Sequence, residues 1–212
     1  MLDPDRFQQL YHRLGGCGDA SSMLSSLMEA YAQPHRAYHT LVHLQDCLQQ
    51  FDRVRNQTEQ PDEVEMALWF HDAVYMPQAG NNEEQSATWA TEGLLTSGVD
   101  ADRVSRMASL ILDTRHDRPP ATQDCKILLD VDLSILGREP AEFAAYERQI
   151  RTEYHWVAEE AYCTKRAAIL ESFLARPAIY QTEFFRSRLE TQARENLTQS
   201  IARLRRRQTG VP

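Results

Sequence analysis

Five of the seven histidines fall between His35 and His116, and acids are interleaved with them. His39 and His43 stand four residues apart in Tyr38-His39-Thr40-Leu41-Val42-His43. On a helix that spacing puts both imidazoles on one face, about 5–6 Å apart at Cβ. A second group, His71-Asp72, follows directly on the apolar run from Met66 to Phe70. An imidazole and a carboxylate buried together need a compensating charge, which a cation supplies. A third group, Asp130 and Asp132, lies inside the apolar segment from Leu128 to Leu136. Two acids in such a run read best as partners of a metal, with an N-cap or a buried ion pair as the plainer alternative.

The three groups together read H…HD…D, with the choice between His39 and His43 and between Asp130 and Asp132 left open by the spacing. These are nitrogen and oxygen donors without thiolate, a set that suits Mn, Mg, Fe, Co, Ni or Zn. Glu83 and Glu84 follow the loop after the doublet; one of them could orient a nucleophilic water or hold a second ion, and both could equally stabilise a helix N-terminus capped by Asn81 or Asn82, two readings that do not exclude each other. Arg115 and His116, in a loop after Ile111 and Leu112, read equally as a phosphate or second-metal contact and as solvated loop residues. Arg36, beside the histidines, either clamps a phosphate with its two-pronged guanidinium or makes a surface ion pair.

The ordered set resembles the HD-domain superfamily of metal-dependent phosphohydrolases. The run from Tyr38 to His43 also resembles the Y-H-N-x-x-H signature of cyclic-nucleotide phosphodiesterases. Tyr38 to His43, Trp69 to Tyr75 and Asn82 to Ala87 are more closely similar to a bacterial family of HD-superfamily phosphohydrolases, largely of unassigned substrate. The similarity runs from about Phe7 to Leu197. It implies that His43, His71, Asp72 and Asp132 hold the metal, with Asp72 able to bridge two ions, and that His39 protonates the leaving group. Asp132-Leu133-Ser134 is similar to the D-L-S that follows the final aspartate in the phosphodiesterases. Met76 stands where an acid is expected in relatives, which puts in doubt any metal or substrate contact from that position. The implied reaction is hydrolysis of a phosphate ester on a small phosphorylated metabolite or nucleotide. The competing readings are a non-catalytic metal- or nucleotide-binding regulatory module, a di-iron oxygenase on the same scaffold, and a helical interaction protein. Only His116 lies between Asp72 and Asp132, which is poor in histidine for the oxygenase.

The elements that must position these groups are helices. Leu41, Leu44, Leu48, Phe51 and Val54 recur at steps of three and four, as do Phe143, Tyr146 and Ile150. Gly15-Gly16, Gly98, Pro119-Pro120, and Gly137 with Pro140 punctuate the runs, while Pro61 and Asp62 open the helix leading to His71. Period-two alternation is not convincing anywhere. The expectation is therefore an all-α fold of eight to ten helices, an HD-type helical bundle with additional C-terminal helices. It is a single domain over 1–212, with a core of about 20–175 and a helical extension of about 176–207. Tyr146, Trp156, Tyr162 and Tyr180 are expected to pack. The basic end, Arg203 to Arg207, reads as an anion patch or, preferably, as cations at the negative pole of a helix followed by a frayed tail.

Bulk properties narrow the field further. Hydrophobic residues at 42% and charged residues at 25% are an ordinary globular balance. A net charge of −8 disfavours general nucleic-acid or anionic-membrane binding. It leaves room for a small phosphate ligand, because a local metal reverses the field in one pocket. Cys17, Cys47, Cys125 and Cys163 form no C-x-x-C pair and read as reduced, mostly buried thiols. The acidic start, Met1-Leu2-Asp3-Pro4-Asp5, lacks a signal peptide's basic and apolar regions, and a cytoplasmic protein is expected. The oligomeric state is not legible.

Overall fold

A computed structural model describes residues 3–208; Met1, Leu2 and the tail 209–212 lie outside the described residues. Among the described residues there are ten α-helices and two short 3₁₀ helices, and no strand. The all-α expectation therefore holds. Among the described residues no helix is long and apolar enough to cross a membrane. The chain divides into two compact units, 1–132 and 133–212.

The first unit holds seven helices: α1 (Pro4–Arg13), α2 (Ser21–Tyr31), α3 (Leu41–Asp52), α4 (Pro61–Phe70), α5 (Asn82–Thr96), α6 (Ala101–Asp113) and α7 (Gln123–Asp132). Its centre is α4, where every residue from Glu63 to Phe70 is buried. A helix apolar on all sides must be enclosed on all sides, and α1, α3, α5, α6 and α7 all pack on it. The terminators behave as their chemistry requires. Gly15 and Gly98 sit at φ +96° and +86°, backbone that a side chain would strain, just past the ends of α1 and α5. Pro61 occupies the start of α4, where a missing N–H costs nothing.

Two buried acids of α4 are answered by arginines. The Glu63 carboxylate takes 2.7 Å hydrogen bonds from Nε and Nη2 of Arg106. Glu65 receives Arg6 Nε at 2.6 Å and pairs also with Arg55. Each is a charge-assisted pair of the kind that makes a buried carboxylate tolerable.

The second unit holds the 3₁₀ helix Leu133–Gly137, then α8 (Pro140–Glu153), α9 (Glu159–Leu174) and α10 (Glu183–Gln208). The long α10 packs on α9 and on the 3₁₀ helix. Contact there is close enough that a Cβ on Gly137 would come within 2.6 Å of Leu189 Cβ. Asn196 Nδ2 donates to the carbonyls of Leu136 and Arg138, and Tyr180 Oη donates to that of Leu133, so the 3₁₀ turn is held by side chains of its own unit. Tyr162 and Tyr180 are buried as expected, but Trp156 is 49% exposed. It lies in the short connection after α8, where no helix face is available to cover it.

Candidate metal centre

Three helices of the first unit bring the ligand set together. On α3, His43 shares the buried face with Leu44, Cys47, Leu48 and Phe51. His71 caps the end of α4 and Asp72 follows it. Asp132 is the last residue of α7, whose stretch from Ile127 to Val131 is buried. Two of the three elements thus point C-terminal ends at the site, where the partial negative charge of the helix favours a cation. Asp132, rather than Asp130, joins the histidines; Asp130 is fully buried elsewhere on the helix.

His43 Nε2 and His71 Nε2 are 3.2 Å apart. Asp72 Oδ2 lies 3.0 Å from His71 Nε2 and 3.5 Å from His43 Nε2. Asp132 Oδ1 lies 3.3 Å from His43 Nε2 and 3.6 Å from His71 Nε2. Two donors held about 2.0–2.2 Å from one ion, at tetrahedral to octahedral angles, lie about 2.8–3.6 Å from each other. All five separations fall in that range. His71 Nδ1 donates to the Leu68 carbonyl at 2.8 Å, so in the neutral imidazole it is Nε2 that would offer a lone pair to the cluster. A backbone carbonyl fixing the tautomer in this way is the usual support of a metal-binding imidazole. Lone pairs and carboxylate oxygens crowded around one point repel unless a positive charge sits among them, and the donor set fits a metal ion.

The electrostatics carry the same demand. Burial alone would raise the Asp72 carboxyl, but the charges of His71 and His39 and hydrogen bonds from His43 and His71 hold it well below the usual range. Asp132 is likewise held low against its burial by His116, His43 and His71. Burial alone would lower the two imidazoles, yet both are raised well above the ordinary value. Cys47 and Tyr38, with Asp132 and Asp72, raise His43, while Asp72 and Tyr31 lead for His71. Glu63 and Glu65 in the same unit have arginines; the charge-assisted partners of Asp72 and Asp132 are imidazoles. The side chains of Asp72 and Asp132 stay 19% and 17% exposed, so the cluster opens to solvent on one side.

Cys47 was not expected here. Its Sγ belongs to the group His43, Cys47, His71 and Asp132, whose ligand atoms all lie within 4.8 Å of one another and which could hold a metal ion. The donor set is therefore not free of sulfur. The signal was present in the sequence as a cysteine four residues after His43, on the same helix face.

The remaining expected residues surround this group in different ways. His39 is not on the helix with His43; it sits in the turn before α3, whose N-cap is Thr40. Its ring nevertheless lies 6.0 Å from that of His43, and it stacks on Tyr75 at 4.0 Å. His116 Nε2 donates to Asp132 Oδ2 at 2.9 Å, from a backbone at φ +57°. That left-handed conformation is uncommon outside glycine and is characteristic of residues held for a purpose. Glu83 and Glu84 lie in the first turn of α5, where Asn81 occupies the cap position without a side-chain bond to the helix backbone and accepts instead from Gln85 Nε2; the Asn82 side chain bonds the Met76 backbone. Burial, then the charges of Asp72 and Glu84, push the Glu83 carboxyl up. Glu84 pairs with Arg115.

Arg36 makes neither a surface ion pair nor an open phosphate clamp, the two readings its sequence offered. It is 7% exposed, and its five N–H groups meet the Gln33 side chain twice and the carbonyls of His39, Asp72 and Ala73. The guanidinium is spent on tying the loop before α3 to the turn that carries Asp72. His35 adds to the tie through Nε2 and the Tyr75 carbonyl at 2.6 Å, and Ser86 Oγ holds both backbone groups of Val74.

No protein-family model, no curated protein and no solved structure matches this chain.

Proposed function

We propose that this chain is a metal-dependent phosphohydrolase of the HD-domain type, acting on a phosphate ester of a small metabolite or nucleotide. The observation that supports the reading best is the convergence of His43, His71, Asp72 and Asp132, with donor separations of 3.0 to 3.6 Å, at a partly open site. These four residues would hold a divalent cation, one of Mn, Mg, Fe, Co, Ni or Zn, and Cys47 is near enough to bias the choice toward zinc. When bound, such an ion supplies Lewis-acid chemistry, polarising a phosphoryl oxygen and making water acidic near neutral pH.

The chain's own residues divide the remaining work. His116 holds Asp132 in place through its second carboxylate oxygen. Glu83, its carboxyl raised by burial and by Asp72, accepts the proton of the attacking water. His39, steadied on Tyr75 beside Asp72, donates a proton to the leaving oxygen. Arg115, anchored on Glu84, faces the charge that develops on the phosphoryl group. Arg36 positions and does not touch substrate.

The test is elemental analysis of the purified protein, then a panel of phosphomonoesters, phosphodiesters and nucleoside triphosphates with the best metal. At least one ion per chain is expected, with turnover that a chelator removes and the metal restores. Asp72→Ala is expected to melt as a folded protein and hydrolyse nothing. Metal at background level, or a loaded protein silent across the panel, would overturn the reading.

A further inference from the structure

The second unit contains a cavity of about 350 Å³ between α8, α9 and α10, at the lower end of the range for small-molecule sites. Four arginines line it: Arg148 and Arg151 from α8, and Arg203 and Arg207 from α10. Spacings of three and four residues put each pair on one helix face, and the two faces look onto the same space. Arg151 is fixed as part of the wall, donating to the Tyr154 and Val157 carbonyls and to Glu159, with its guanidinium over the Tyr162 ring at 4.6 Å. Arg207 makes only a 3.6 Å contact with Glu159, both side chains being at least half exposed. Among the described residues, no hydrogen bond or ion pair engages the guanidinium of Arg148 or Arg203.

The one acid in the lining does not neutralise them. Glu147 accepts from Arg166 Nε at 3.1 Å on one oxygen and from Ser200 Oγ at 2.7 Å on the other. Arg166 beneath it is buried and bonds also to Tyr146. The acid is thus satisfied from below, and the surplus positive charge faces the cavity. Attraction of basic residues to the negative end of a helix accounts for Arg205 to Arg207 in the last turn of α10. It does not account for Arg203, nor for two like-charged pairs meeting across one hollow.

We propose that this cavity is a second ligand site, separate from the metal centre, for a small anion with two phosphoryl groups. A guanidinium fork matches phosphoryl oxygens in pairs, and the two unengaged forks come from opposing helices, one for each group. The cavity volume and the chain's net charge of −8 select a small ligand over a nucleic-acid strand.

The probe is inorganic pyrophosphate, titrated calorimetrically into the full chain at low salt. One site per chain is expected, with equal affinity in Asp72→Ala. The double variant Arg148→Gln, Arg203→Gln is expected to weaken binding by at least about tenfold, the loss that one charge-assisted contact brings. Both substitutions lie on exposed helix positions, and a melting curve confirms that the variant folds. Arg205→Gln, on the same helix but paired with Glu171, is expected to bind as the parent does. Absence of heat, or undiminished binding in the double variant, would overturn the proposal. Binding lost in Asp72→Ala would place pyrophosphate at the metal centre instead. Citrate held as tightly as pyrophosphate would refute the phosphate assignment, and an equal loss in Arg205→Gln would reduce the effect to general charge.

Discussion

The candidate metal centre of the first unit and the arginine-lined cavity of the second are opposite electrostatic arrangements. In the first, two carboxylates and two imidazole nitrogens crowd around a point and are answered by nothing stronger than one another. In the second, four guanidinium groups surround a hollow whose single acid is already taken by Arg166 and Ser200. By contrast, the buried acids Glu63 and Glu65 are answered by Arg106 and Arg6. A folded chain bears an unbalanced buried charge only at a cost. The buried carboxylates of the first site are therefore where a cation is best sought, and the exposed, unengaged guanidinium groups of Arg148 and Arg203 are where an anion finds donors.

The largest effect expected from breaking the comparison is at Asp132. Asp132→Ala removes a ligand and releases His116, so metal content should fall to background and turnover by more than about 100-fold, beyond the 10–100-fold that a supporting contact costs. Pyrophosphate binding should stay as in the parent; if both are lost together, the two sites are not independent. Arg36→Lys is expected to be the next in size. A lysine cannot span the carbonyls of His39, Asp72 and Ala73, so metal affinity should drop by about 10–100-fold with the fold retained. Metal affinity unchanged in that variant would show that the loop needs no such tie.

The smallest effect is a shift in melting temperature with pH. In the metal-free protein the depressed Asp72 and Asp132 stabilise the fold above their unfolded pKa of about 3.9 and lose that contribution as pH falls through the folded value. The raised His43 and His71 stabilise it below about 6.5 and lose that contribution as pH rises through the folded value. Both contributions are whole only between about pH 4 and 6.5. Metal requires deprotonated imidazoles, so the increment in melting temperature from added metal should grow as pH rises from there. An increment that shrinks with rising pH would argue against imidazole ligation. Thermal melts with and without metal across that range decide it.

Much of this was legible from residue order. The 3.6-residue rhythm, the proline at the start of α4 and the glycines after α1 and α5 are local signals, acting within one turn of the chain. They sufficed for an all-helical fold. The candidate donors, His39 or His43, His71 with Asp72, and Asp130 or Asp132, also stood out, because imidazoles and carboxylates in apolar runs need a partner, and the family resemblance narrowed them. Cys47 was readable by the same helical spacing but was hidden by the ordinary role of cysteine as a small buried apolar residue.

What the residue order determined, then, was which turns are helical and which side chains have metal-binding chemistry. Tertiary structure alone moved His39 off the helix into the turn beside Tyr75, and turned the buried guanidinium of Arg36 onto the carbonyls of Asp72 and Ala73, distant in the chain. It also brought Arg148 and Arg203 onto one cavity from helices that no periodicity relates. Helical rhythm says which face of a helix a residue occupies. Only packing between helices says what that face meets, and charge becomes chemistry at those meetings.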